Sequence, residues 1–297
     1  MQLALGFDED SFLNLGRKPS LWQRSVMPVV HNDGHTSRTV GTCFAISNTG
    51  LALTARHVLT DAFPSAEDTD LRLERNGSLD VLYFDTSIEL DDPRKVAGTR
   101  FSISTAWMNP RLDIAIIKLE LGRNLRTGLP ATMPAFRLSP GIPPVGTPCF
   151  AVGYHSATWD VDVTAKTYLI DQQFAASAGT VAETHFPMRD SANLNFPCFR
   201  VDARYAGGMS GGPIFSAKGD VFGVVCSSFV SEGVPISYGT IVGPVLGTSL
   251  DLPNPMGRNQ KPCLYEFIDA GLVGADDTYS DLLIQRDESA CNISFKV

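Results

Sequence analysis

The chain has 297 residues, 43% of them apolar and 19% charged, which excludes a disordered polymer and allows one large or two small domains with a buried core. A net charge of −8 with no run of basic residues argues against nucleic acid as a partner. No stretch approaches the roughly 18 consecutive apolar residues of a membrane span, and the acidic opening MQLALGFDED is wrong for a secretory signal, so a cytoplasmic location away from membranes is expected.

In chain order, residues 1–24 read as an N-terminal extension. VMPVV (26–30) runs into HNDGH (31–35), where Asn-Asp-Gly signals a turn; His31 and His35 are therefore expected as solvated loop residues and not metal ligands. Short β-branched runs follow: TCFAIS (42–47), LALTA (51–55), VLYF (81–84), FSISTAW (101–107) and IAIIKL (114–119). They place a first β unit at 25–130. The proline-rich TGLPATMPAFRLSPGIPPVGT (127–147) supplies an extended connector, assigned to 131–147. CFAVGY (149–154), VFGVVCSSF (221–229) and ISYGTIV (236–242) belong to a second unit at 148–250. Helix-length amphipathic windows are scarce between these runs, so the expected class is all-β, a sandwich or barrel. After DLPNPMGRNQKP, CLYEFIDAGLV reads as one helix followed by a polar tail, making 251–297 a C-terminal extension.

Six cysteines are scattered without a CxxC pair. Cys43, Cys149, Cys198 and Cys226 lie in strand-like contexts and are expected as buried free thiols, consistent with a reducing compartment and no zinc site.

The stretch AGGMSGGPIF (206–215) surrounds Ser210 with glycine. The glycines either build a tight turn or clear space for backbone N–H groups and a hydroxyl to converge on a substrate atom. The second reading requires a base and an acid to orient it. His57 follows LALTA where an extended segment turns helical, a junction able to hold an imidazole at a cleft rim. Asp113 opens the run DIAIIKLE at the mouth of a strand. Asp61, four residues beyond His57, lies along the local helix with poor geometry for the ring.

GTCFAIS-NTG-LALTARHV, RLDIAIIKLE and GGMSGGPIF resemble, in that order, the His, Asp and Ser motifs of chymotrypsin-fold serine peptidases. Their spacings are 113 − 57 = 56 and 210 − 113 = 97 residues. VDARYAGGMSGGPIFSAKGDVFGVV is most similar to bacterial Deg/HtrA-type catalytic domains, with further likeness in PVGTPCFAVGY and SAGTVAE. The resemblance implies two antiparallel six-stranded Greek-key barrels with the active site between them. It implies a cofactor-free serine endopeptidase acting on protein or peptide substrates through a His57, Asp113, Ser210 triad and an acyl-enzyme. The N–H groups of Gly208 and Ser210 would form the oxyanion hole. Cys226, Ser227 and Ser228 would fall on the edge that pairs with substrate backbone, Cys226 beside the acid.

Met209 stands where zymogens of this fold carry the aspartate that pairs with a new N-terminus, so activation of that kind is not expected. The 297 − 250 = 47 residues after the second unit are too few for a PDZ domain. Arg204, six residues before Ser210, stands near the floor of the primary pocket and would favour an acidic P1 residue, unless it points outward or pairs with Asp202. Tyr205 is the neighbour that would narrow the pocket. Two alternatives remain open: a protease gated by a regulatory protein through the C-terminal extension, and a pseudo-protease scaffold that binds proteins. The complete set of His57, Asp113 and Ser210 speaks against the scaffold.

Overall fold

The computed structural model describes residues 12–16, 24–32, 37–62, 71–72, 78–85, 97–123, 127–162, 167–231, 234–287 and 291–296. After β1 (Phe12–Gly16), the chain forms β2 (Val26–Asn32), β3 (Ser37–Ala45) and β4 (Leu51–Thr54), then helix α1 (Arg56–Ala62). Strands β5 (Leu71–Arg72), β6 (Ser78–Asp85), β7 (Ala97–Met108) and β8 (Ala115–Leu119) follow. Antiparallel pairing runs β7-β6-β2-β3-β4-β8 and closes by β8 on β7, giving a six-stranded barrel with β5 added to β7. The barrel interior is filled by branched aliphatic and aromatic side chains: Val29, Phe44, Leu53, Val81, Trp107 and Ile116 are all buried. Each such side chain contributes about 1.5–3 kcal/mol by leaving water.

The second barrel repeats the plan with β9 (Pro148–Asp162), β10 (Thr167–His185), β11 (Cys198–Val201), β12 (Pro213–Ser216), β13 (Val221–Ser231) and β14 (Val234–Ile241). Its order β10-β11-β14-β13-β12-β9 closes by β9 on β10. Ala151, Phe199, Val201, Ile214, Val225 and Ile241 fill its interior. Closure of both sheets removes exposed strand edges. The result is the chymotrypsin-like double barrel.

Between the barrels the connector runs extended. The Phe136 N–H donates to the Ala45 carbonyl at 2.9 Å, and its ring lies 6.4 Å from Phe44 and 4.9 Å from Phe215. One aromatic ring thus touches a strand of each barrel, β3 through Phe44 and β12 through Phe215.

Three expectations need adjustment. The N-terminal extension contains β1, which pairs with β10 of the second barrel, Phe12 opposite Ser177. HNDGH does join a hairpin, with His31 on β2 opposite Arg38 of β3, but residues 33–36 and with them His35 lie outside the described residues. The C-terminal segment is more than a helix and a polar tail. A 3-10 turn (Gly243–Gly247) leads to α2 (Leu264–Asp269), and a hairpin follows, β15 (Leu282–Arg286) with β16 (Cys291–Phe295). Leu264, Phe267, Val273 and Leu282 are buried in the main hydrophobic cluster, so apolar packing binds this segment to the body.

Candidate active site

The apolar strand β4 delivers the chain to Ala55, and α1 begins at Arg56. Two hydrogen bonds pin that junction to Asp113: Arg56 N–H donates to the Asp113 carbonyl at 3.4 Å, and His57 N–H to its Oδ1 at 3.1 Å. The same carboxylate faces the ring, with Nδ1 of His57 2.9 Å from Oδ2 and 3.1 Å from Oδ1. Asp113 is only 8% exposed, and it is held by its place just before β8. A single carboxylate therefore fixes both the main chain and the side chain of His57.

Burial pulls the imidazole pKa down, but the hydrogen bond and charge of Asp113 and the charge of Asp61 outweigh it, so the net shift is upward from 6.5. Asp61 acts through charge alone, as its position on α1 leads one to expect.

The Cys226 thiol lies against the Asp113 carboxylate. Burial first, then the Asp113 charge and hydrogen bond, push it well above the usual thiol range, so it remains an S–H donor. Donor atoms of His57, Asp113 and Cys226 lie within 4.8 Å of one another, the one grouping of potential metal ligands among the described residues. These are the site's own groups and already bond to each other. Sequence reasoning placed Cys226 beside the acid, and the structure puts it there.

Ser210 arrives from the other barrel. Its Oγ donates to the Cys226 carbonyl at 3.3 Å, which brings the hydroxyl to the strand segment that also flanks Asp113. Just before it, Met209 N–H donates to the Ala206 carbonyl at 3.1 Å, closing a four-residue turn with Gly208 at φ +87°. A positive φ at the third residue marks a type II turn and fixes which way its central peptide faces. The N–H groups of Gly208 and Ser210 donate to no protein acceptor among the described residues. A Cβ on Gly208 would meet the Tyr154 carbonyl at 2.7 Å, and one on Gly211, at φ +85°, the Thr42 carbonyl at 2.1 Å. Gly207, in contrast, faces open space. The turn is tight, and among the described residues it leaves these N–H groups unspent.

Met209, at the zymogen-aspartate position, is fully buried in the second core, and its Sδ accepts the Ala206 N–H at 3.4 Å. An apolar anchor thus holds the turn from below.

Thr42 was invisible in the sequence. On β3, fully buried, its Oγ1 donates to the Gly208 carbonyl at 2.9 Å and accepts the Tyr154 N–H at 3.0 Å, while its own N–H donates to the Ser210 carbonyl at 2.8 Å. A first-barrel residue thereby clamps both ends of the serine loop.

A cleft of about 520 Å³ opens beside His57, Asp113, Cys226 and Ser227, with Arg189, Asn193, Leu194 and Phe196 on its far wall. That wall was also missed, because MRDSANLNFP has no periodicity. Its signal was the aspartate: Asp190 Oδ1 accepts N–H groups of Ala192, Asn193 and Leu194 at 2.9, 2.7 and 3.2 Å, a turn-forming pattern. The Arg189 guanidinium carbon sits 4.9 Å over the Tyr238 ring.

Arg204 is exposed, and its charge, after burial, lowers the pKa of His155. Asp202 pairs with Arg200 at 2.8 Å. The cation in the cleft wall is Arg189. Tyr205 is buried, its N–H donating to Ser237 Oγ at 3.2 Å and Ser228 Oγ at 3.4 Å. Ser227 and Ser228 are exposed on β13.

The fold thus joins two barrels, one carrying an imidazole on a buried carboxylate and the other a serine in a glycine-rich turn. A family model described as trypsin-like peptidase domain matches residues 41–224, and the chain belongs to that family, a serine protease by class. No curated protein matches the chain. Among solved structures, it is similar to the MamO protease domain from Magnetospirillum magneticum in its apo form. They share 18% identity at a TM-score of 0.47, with 74% of this chain and 93% of that one covered. It is also similar to Deg5, at 19% identity and a TM-score of 0.46, covering 74% of this chain and 84% of that one. A third is the active form of the Rv3671c protease from M. tuberculosis, at 16% and 0.46, covering 75% and 78%.

Among the described residues, no helix is long and apolar enough to cross a membrane.

Proposed function

We propose that the chain is a serine endopeptidase in which Ser210, His57 and Asp113 form a catalytic triad working through an acyl-enzyme. The carrying observation is the His57 Nδ1 contact with Asp113 at 2.9 Å, which leaves Nε2 as the nitrogen available to a nucleophile. The Ser210 hydroxyl, now on the Cys226 carbonyl, turns to Nε2 by a change of rotamer. Its Oγ attacks the scissile carbonyl carbon as Nε2 takes the proton. The oxyanion then accepts N–H bonds from Gly208 and Ser210, and His57 returns the proton to the leaving amine. Water repeats the sequence on the ester and frees Ser210. Asp113 keeps Nδ1 protonated and stabilises the imidazolium, in keeping with the upward shift of His57. Substrate backbone pairs along the exposed Ser227 and Ser228.

The type II turn at Gly208 supports an oxyanion site formed without an effector, so basal turnover is expected from the chain alone. A fluorophosphonate probe tests the reading. It should label wild type at Ser210, and Ser210→Ala should lose both labelling and peptide turnover, the latter by about five to six orders of magnitude. Labelling that persists in Ser210→Ala, or a wild type inert to probe and peptides alike, would favour the scaffold.

A further inference from the structure

Two of the six cysteines face each other far along the chain from the triad. Cys263 is the N-cap of α2, 2% exposed, and its carbonyl accepts the Glu266 N–H at 3.0 Å. Cys291 opens β16, half-buried, and its S–H donates to Cys263 Sγ. Their approach is fixed by more than the thiols. Arg286, opposite Cys291 in the hairpin ladder, reaches Glu266 Oε2 and the Lys261 carbonyl, while Glu266 Oε2 accepts the Cys263 N–H at 2.9 Å. A buried carboxylate and a guanidinium therefore lock the hairpin to the mouth of α2, with both sulfurs on the same seam.

We propose that Cys263 and Cys291 are a site of reversible disulfide formation, stapling the C-terminal hairpin to the start of α2. The chemistry suits a disulfide oxidant such as oxidised glutathione. Cys263, the more acidic of the two, gives up the first proton. The hydrogen bond to Cys263 and burial otherwise hold the Cys291 proton in place, so that proton must shift to Cys263 before the half-buried Cys291 attacks one glutathione sulfur and expels the first glutathione thiolate. Cys263 then attacks the Cys291 sulfur of the mixed disulfide and expels the second. One protein S–S bond forms, one glutathione S–S bond breaks, and the two thiol protons pass to the two departing thiolates. Cys263 is equipped to be the resolving group. The hydrogen bond from Cys291 lowers its pKa, and against the opposing effect of burial the Arg286 charge adds to that lowering. The other four cysteines are all buried, more so than Cys291.

The staple closes a loop of 291 − 263 = 28 residues and restricts the unfolded chain. It fastens a hairpin whose Phe295 ring packs edge-on at 5.1 Å against Phe186, at the root of the segment that walls the cleft. The bond itself is independent of the catalytic reading and is tested without turnover.

The full chain, reduced and then incubated folded with excess oxidised glutathione, is alkylated and mapped by non-reducing mass spectrometry. A peptide linking Cys263 to Cys291 should appear, reversible by dithiothreitol, with four thiols of six still alkylated. Tm should rise by about 5 °C on oxidation of wild type and not of Cys291→Ser. In Cys263→Ser, glutathione should remain on Cys291. The proposal is overturned if wild type keeps all six thiols, if it retains glutathione on Cys291 without the link, if the link forms only after urea, or if the linked protein melts no higher.

Discussion

The first barrel and the second hold their halves of the site by different means. His57 sits in the first turn of α1 and Asp113 in the bend that leads into β8, and their mutual bonds include the main chain of His57. Ser210 sits on a loop with no regular structure, where position comes from close backbone approach and from Thr42 reaching across. Side-chain bonds thus define the base and acid, whereas main-chain conformation defines the nucleophile and its N–H donors. Damage to the two halves should therefore differ in kind. A change at the first should alter proton transfer, and a change at the second should alter charge stabilisation.

Among changes that leave Ser210 and His57 in place, the largest effect is expected on the first half. Asp113→Asn keeps the shape but allows the opposite imidazole tautomer, and kcat should fall by about 10⁴-fold. The wild-type profile should also locate the base. Because the His57 pKa is raised, kcat/KM should climb with pH to a midpoint above 6.5. The same upward shift means that the Asp113–His57 interaction stabilises the fold fully below 6.5 and is lost as pH rises through the higher folded value. In Asp113→Asn the midpoint should move down. A midpoint unmoved by this change would detach the base from Asp113 and break the contrast.

On the second half, Gly208→Ala should cost about 10²- to 10³-fold in kcat, with a modest loss of thermal stability from the strained turn. The positive φ and the 2.7 Å approach to the Tyr154 carbonyl force the turn to change, and the pH midpoint should stay where it is in wild type. Gly207→Ala, with open space at its Cβ, is the matched control and should be near wild type. Equal losses in the two variants would show that the turn is not the donor.

Thr42→Val joins the halves. It is nearly isosteric but strands the Tyr154 N–H and removes a donor from the Gly208 carbonyl, a cost of about 1–3 kcal/mol. kcat should fall about tenfold with KM steady, Thr42→Ser should restore it, and urea unfolding should report the stability loss. A variant that loses stability but keeps kcat would reduce Thr42 to a structural link.

The same contrast explains what could be read from the sequence. Asp113 and His57 stood out because strand-forming runs place their neighbours, and Ser210 because glycines mark a loop whose backbone must be close to something. What they approach was not legible. Nothing in GTCFAIS says that Thr42 crosses to Gly208, since the contact depends on how the two barrels pack. FLNLG has little β-branched character, and its partner on β10 is more than 150 residues away, so β1 gave no local signal. LLIQR and CNISF are each 5 residues long and read as polar tail, because strands this short are defined by their pairing.

The smallest expected effect concerns the cleft wall, which belongs to neither half. Backbone N–H groups, that of Asn193 first and then that of Leu194, hold the Asp190 carboxyl below its ordinary 3.8. A folded-state pKa lowered in this way stabilises the protein fully above 3.8, and the contribution fades as pH falls toward the lower folded value. The urea midpoint of Asp190→Asn should therefore trail wild type at neutral pH and converge with it in strong acid. At neutral pH, slackening the wall that carries Arg189 and Leu194 should raise KM modestly and leave kcat intact, since the hydrogen bonds that orient His57 come from Asp113. A fall in kcat with unchanged KM would place this loop in the catalytic machinery and dissolve the distinction between wall and site.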